Sequence, residues 1–158
     1  MALPTTGHAE SLPFLLSQVG ARSAQLFAER IAPLGVTPRA YGVLSYLAET
    51  ASQTQQQLAT ALGIHRNNMV GLIDEMEAAG WVRRHRSKQD RRAFDIRLTM
   101  TGSTLIARVN RVLPALEGDI AHGLSDDDRL AMVASLMHIA RRLDLKPGVH
   151  PHLRSPSR

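Results

Sequence analysis

The run His65-Arg66-Asn67-Asn68 places four side chains with polar edges on consecutive residues. An arginine fork matches the O6/N7 edge of guanine, and an asparagine amide matches the N6/N7 edge of adenine. This turn therefore carries groups that can read bases, although the same residue types also suit a solvated helix cap. A second group lies between Trp81 and Arg97. Arg83, Arg84, Arg86, Lys88, Arg91, Arg92 and Arg97 stand there against only Asp90 and Asp95, a surplus equal to the whole chain's formal charge of +5. A solvated face normally mixes the signs. A block of one sign suits phosphate contact and approach to a minor groove.

Other chemistry finds little footing. No nucleophile–base pair, glycine-rich phosphate loop or pair of carboxylates occurs at useful spacing, so the chain reads as a non-enzyme with no cofactor. His8, His65, His85, His122, His138, His150 and His152 are scattered, with no i, i+4 pair and no acidic cluster to complete a metal site. There are no cysteines, which excludes disulfides, zinc thiolates and a cysteine redox switch.

The elements that must position the two polar groups follow from apolar spacing and caps. The N-terminal residues to Ser11 read as a flexible arm. Leu15, Leu16, Val19, Leu26, Phe27 and Ile31 recur at helical intervals from Leu12 until Pro33-Leu34-Gly35 breaks the pattern. Thr37-Pro38 restarts a helix with a cap and a first-turn proline, and Tyr41, Val43, Leu44 and Leu47 supply its stripe. Thr54 with Gln57 has capping-box spacing and opens a short helix that ends at Gly63. A second helix runs from Arg66 to Ala79 with Met69, Val70, Leu72, Ile73 and Met76 inward, closed by Gly80. The period then shortens: Trp81 to Arg86 and Phe94 to Thr99 read as strands around a polar tip. A long helix follows Thr101-Gly102 to about His122, with a kink expected at Pro114. Ser125 caps a last helix to about Leu143, with Leu130, Val133, Leu136, Met137 and Ala140 as its inward stripe. The tail, with Pro147, Pro151 and Pro156, reads as disordered and basic over residues 144–158.

With 158 residues and 44% hydrophobic composition, this is one domain's worth of chain with helical extensions. No apolar run approaches a membrane span, and the N-terminus lacks the features of a signal peptide, so a cytoplasmic location is expected. The fold class is mainly α with a small β-hairpin wing, a winged helix-turn-helix lobe carried by a helical region.

The run Trp81-Val82-Arg83-Arg84, Asp90-Arg91-Arg92 and Leu98-Thr99-Met100-Thr101-Gly102 resembles the MarR family of regulators. So do Gln57-Leu58-Ala59, Leu62-Gly63-Ile64 and Leu72-Ile73-Asp74-Glu75-Met76-Glu77 with Gly80. The resemblance extends from about Leu12 to Leu143. It implies dimerisation helices over residues 12–36 and 102–143 and a winged helix-turn-helix over 37–101. It also implies a homodimeric transcriptional regulator, a repressor, on a palindromic double-stranded operator. The implied DNA-contacting set is Thr54, Gln55, His65, Arg66, Asn67 and Asn68, with Arg86, Lys88, Asp90, Arg91 and Arg92 from the wing. Within the wing signature Asp90 fixes the wing and Arg92 reaches the minor groove. One departure stands out: Val70-Gly71 occupy the place of a Thr-Arg pair common in the family, so reading leans on His65 to Asn68.

The resemblance further implies a cleft for a small aromatic or anionic ligand, with Phe14, Gln18, Arg22, Tyr41 and Tyr46 as candidate lining. Arg22 is the candidate partner for a carboxylate, although core aromatics and a surface arginine read equally well. Two alternatives stay open: a winged helix that docks an acidic protein without reading DNA, and a metal-responsive regulator.

Overall fold

The computed structural model describes residues 7–87, 92–150 and 153. Among the described residues six α-helices and a three-stranded antiparallel sheet make up the fold: α1 (Leu12–Ile31), α2 (Pro38–Thr50), β1 (Ser52–Thr54), α3 (Gln55–Leu62), α4 (Arg66–Ala78), β2 (Val82–Arg86), β3 (Phe94–Leu98), α5 (Met100–Ile120) and α6 (Asp126–Arg142). The first six residues of the expected arm, and Lys88, Asp90 and Arg91 at the wing tip, lie outside the described residues.

The helix starts are set by side chains that satisfy otherwise orphaned amides. Thr37 Oγ1 accepts from the Ala40 amide at 3.2 Å. Thr54 closes a reciprocal box: the Gln57 amide donates to Thr54 Oγ1 at 3.2 Å, and the Thr54 amide donates to Gln57 Oε1 at 2.8 Å. Ser125 caps α6 in the same way through Asp128. Helix α5 begins two residues earlier than the spacing predicts, because Thr99 is its cap and accepts from the Gly102 amide at 3.0 Å. It runs as one helix through Pro114.

The sheet order is β1-β3-β2, so the two-stranded wing gains a third strand from Ser52 to Thr54, which the sequence pattern did not predict. Val82 and Ile96 are fully buried beneath it. They join Ile31, Val43, Leu44 and Leu47 of α1 and α2, Leu58 and Leu62 of α3, and Met69, Ile73 and Met76 of α4 in one core. Each side chain of that kind contributes roughly 1.5–3 kcal/mol over its exposed state. The α3–α4 angle is therefore fixed by packing on both sides of a tight turn, where Gly63 takes φ 67° and Ile64 is buried.

The root of the wing is equally constrained. Thr99 Oγ1 donates to the Gly80 carbonyl at 2.6 Å, and the Thr99 amide donates to the Trp81 carbonyl at 3.0 Å. A Cβ at Gly102 would stand 2.2 Å from that Trp81 carbonyl oxygen, so only glycine lets α5 come this close.

Three expectations need correction. Val70 is 38% exposed on α4 rather than inward. Leu130, Val133, Leu136 and Met137 face solvent in the single chain at 44–62% exposure, and α6 has no buried residue at all. The tail expected to be disordered sends Val149 and Leu153 back against the core.

Candidate nucleic-acid interface

Helix α4 presents its first turn to solvent. Arg66, Asn67 and Asn68 are exposed, and Met69 beneath them is fully buried, so the core holds the turn outward by its apolar neighbour. His65 is the N-cap: its Nδ1 accepts from the Asn67 amide at 3.3 Å, which puts the ring proton of the neutral imidazole on Nε2. Asn67, Val70 and Gly71 follow at helical spacing and are all exposed, so this stripe of α4 is clear of the fold's own packing as far as Asp74. A Cβ at Gly71 would have nothing within 4 Å, so the fold itself does not require glycine there.

The wing is closed by the Ser87 amide donating to the Ala93 carbonyl at 3.0 Å. Arg83, Arg86 and Arg92 are exposed on it. Arg84 is not part of that outward set. Its Nη1 donates to Glu77 Oε2 at 2.6 Å, its Nη2 donates to Asp74 Oδ1 at 2.5 Å and to Gln55 Oε1 at 3.3 Å, and its amide donates to Glu77 Oε1 at 2.9 Å. The amide and guanidinium hydrogen bonds from Arg84 hold the Glu77 carboxyl below its usual range, against a smaller opposing effect of burial. Burial works to lower the Arg84 pKa, but the bonds to Glu77 and Asp74 outweigh it and the net direction is upward. Arg97 leans toward Asp95 at 3.8 Å.

Of the sequence-derived DNA-contacting set, Arg66, Asn67, Asn68, Arg86 and Arg92 thus lie exposed on α4 and the wing. Thr54 and Gln55 stand at the start of α3, with Thr54 Oγ1 committed to its cap and Gln55 Oε1 to Arg84. The arrangement is a helix able to enter a major groove beside a cationic ribbon able to lie along the backbone.

The sequence profile of the MarR family matches residues 34–93. Over 89% of its length the chain superposes on the whole of a transcriptional repressor, CouR, bound to a 23-mer DNA duplex, at 32% identity and a TM-score of 0.75. The chain belongs to the MarR family. A putative transcriptional regulatory protein for the hcr operon of Thauera aromatica is 30% identical over 108 residues; the match spans 68% of this chain and 65% of that relative. Wild-type MarR of E. coli in its apo form shares the fold at 22% identity and a TM-score of 0.73, covering 87% of this chain and 98% of that one.

Beside this MarR lobe, α1, α2, the end of α5 and the tail line a half-open cavity of about 940 Å³. Tyr41 lines it, together with Phe27, Arg39, Ser45 and His150. Tyr41 is held by its hydroxyl donating to Asn110 Oδ1 at 2.9 Å and by the Phe27 ring at 5.6 Å. The other candidate ligand residues lie elsewhere. Phe14 meets the His8 ring at a tilt, with centroids 4.7 Å apart, Gln18 is exposed, Tyr46 packs against the core, and Arg22 reaches Gln25 and Glu29 at 3.4 Å each. Helical phase explains the difference: the α1 residues on the cavity are Gly20, Ala21, Ser23, Ala24, Gln25, Phe27 and Ala28, and Arg22 falls between them. Arg39, one residue past the first-turn proline of α2, is the arginine that does line the space.

Among the described residues no group of three or more His, Asp or Glu side chains could hold a metal ion, and no helix is long and apolar enough to cross a membrane. The sequence reading missed Arg84, Arg39 and Ser45. Arg84 carried one available signal, since Asp74 and Glu77 sit three apart on the helix immediately before it.

Proposed function

We propose that the chain is a homodimeric, DNA-binding transcriptional regulator that reads a palindromic operator with the first turn of α4 and anchors through its wing. The observation that carries this reading is the exposed Arg66-Asn67-Asn68 turn on a helix bolted to a cationic ribbon. The likeness to a repressor bound to a DNA duplex supports it. In this reading Arg66, Asn67 and Asn68 contact base edges, while Arg86, Lys88, Arg91 and Arg92 contact phosphates and the minor groove.

The dimer is formed by α1 and α6. Leu12, Val19, Leu130, Leu136 and Met137 form apolar faces on these helices that water does not favour. A two-fold axis then presents two α4 helices to two half-sites. The regulator acts as a repressor in the cytoplasm, and a small aromatic anion in the α1–α2 cavity releases it from DNA. Arg39 is the group there that meets the anion.

The test is a binding titration of the full chain with DNA flanking its own gene, at several salt concentrations. Tight binding that weakens steeply with salt and fails on unrelated duplexes supports the reading. Salt-insensitive binding, or equal affinity for all duplexes, overturns it. The alternative of a protein-docking winged helix predicts apolar anchors at the start of α4, whereas the exposed apolar side chain on that helix is Val70, beyond the polar turn.

A further inference from the structure

The chain leaves α6 by a left-handed residue, Asp144 at φ 52°, and turns again at Gly148 at φ 71°. Two tight turns follow, with the Val149 amide donating to the Lys146 carbonyl at 3.2 Å and the Leu153 amide donating to the His150 carbonyl at 3.0 Å. This path returns the tail to the cavity between α1 and α2. Leu153 is only 5% exposed, against Gly42 of α2, and both residues line that cavity. A Cβ on Gly42 would meet Leu153 Cδ1 at 2.9 Å and Cδ2 at 3.1 Å. Gly42 lies inside a helix, where glycine costs stability against alanine. The leucine fills the space that a side chain at position 42 would need. One turn along, Ser45 Oγ is buried on the same cavity with no hydrogen-bond partner among the described residues.

We propose that Leu153 is a built-in plug for this cavity, seated on Gly42, and that a ligand and the tail compete for the space. This rests on reading the cavity as the effector site. The tail is a tethered apolar ligand: its exit exposes Leu153 to water, and its seating closes the apolar end of the cavity. Ligand affinity is therefore scaled by the fraction of chains in which the tail is out. The unpartnered Ser45 hydroxyl gives an entering molecule a hydrogen bond that the leucine side chain cannot make.

The experiment uses full-length chains and 8-anilinonaphthalene-1-sulfonate, an aromatic anion whose fluorescence reports binding. Gly42→Ala puts a methyl group 2.9 Å from the far end of Leu153, so the leucine has to shift from its seat. If the tail is seated in about nine chains of ten, the probe binds about tenfold more tightly. A methyl group that merely fills the cavity has the opposite sign and weakens the probe, which would overturn the plug. Since the native chain has no cysteine, the pair Gly42→Cys and Leu153→Cys tests the contact directly. Oxidation should give an intramolecular disulfide and lose probe binding, and reduction should restore it. Covalent dimers on a non-reducing gel, or equal binding by the oxidised and reduced forms, overturn the proposal. Ser45→Phe separates the two readings. If it binds the probe as the parent does, the cavity is not the ligand site and both readings fall. If it blocks the probe while the tail variants change nothing, the plug alone falls.

Discussion

Glu77 on α4 grips Arg84 on β2 at two points, accepting its amide at 2.9 Å on one carboxylate oxygen and its guanidinium at 2.6 Å on the other. The same guanidinium reaches Asp74 one turn back along α4. Recognition helix and wing are thereby fixed in relative position, and Arg84 neutralises acids on the helix rather than phosphates. Arg84→Met should weaken operator binding by misplacing the wing and baring two carboxylates, yet leave the salt slope close to the parent's. Arg92→Ala should weaken binding to many sequences together and flatten the slope by about one. Salt titrations of both variants check this; a slope change in Arg84→Met equal to that in Arg92→Ala would make Arg84 a phosphate contact instead.

The Glu77 carboxyl titrates below its ordinary value of 4.5 in the folded chain. Its contribution to stability is therefore present above that value and is lost as pH falls through the lowered one. Glu77→Gln should cost about 1 kcal/mol at neutral pH. The gap between variant and parent should close on acidification below 4.5. Urea melts at neutral and acidic pH measure it, and a gap that stays constant would mean the charge on Glu77 contributes nothing.

Arg66→Ala should cost roughly 1–3 kcal/mol on the operator and relax preference at one base position in each half-site. Site selection from a random pool, run beside Arg92→Ala, is the check. If the motif survives Arg66→Ala but changes with Arg92→Ala, reading belongs to the wing.

Gly71→Ala separates the needs of the fold from those of DNA. With open space around the new methyl group, α4 should gain roughly 0.5–1 kcal/mol in thermal unfolding. Operator affinity should fall, because in the proposed reading the methyl stands on the exposed stripe that faces the groove. A variant that is more stable and binds DNA equally well would leave glycine at this place without a role in recognition.

Leu136→Glu puts a charge on the exposed apolar face of α6 and should convert the dimer to monomers, with loss of operator binding. Light scattering and a binding titration on one sample report both. A folded monomer that still binds tightly would remove the two-fold axis from the account.

The helix starts were legible because caps are local: Thr37, Thr54 and Ser125 each bond an amide within three residues, and the residue types announce it. Strand β1 was not, since Ser52-Gln53-Thr54 carries no apolar alternation and exists only by pairing with Arg97-Ile96-Asp95 far along the chain. Counting charge found the cationic ribbon but could not say that Arg84 turns inward, because direction depends on where Asp74 and Glu77 lie in three dimensions. The cleft showed the same limit: Tyr41 was found by type, whereas Arg22 falls on the wrong phase of α1 and Arg39, at the start of α2, does line the space. The return of Leu153 to Gly42 left no trace in a tail whose composition reads as disordered.

The close approach of Gly102 to the Trp81 carbonyl gives the molecule a fulcrum. With no room for even one carbon between helix and strand, a tilt of α5 has no slack to be absorbed there and turns the root of the wing with it. A displacement at the far end of α5, near Ile120, then reaches the strand ends at Val82 and Leu98 instead of being lost in the joint. In the proposed dimer the spacing between half-sites would depend on this joint, and a side chain at residue 102 would push helix and strand apart without touching a DNA contact.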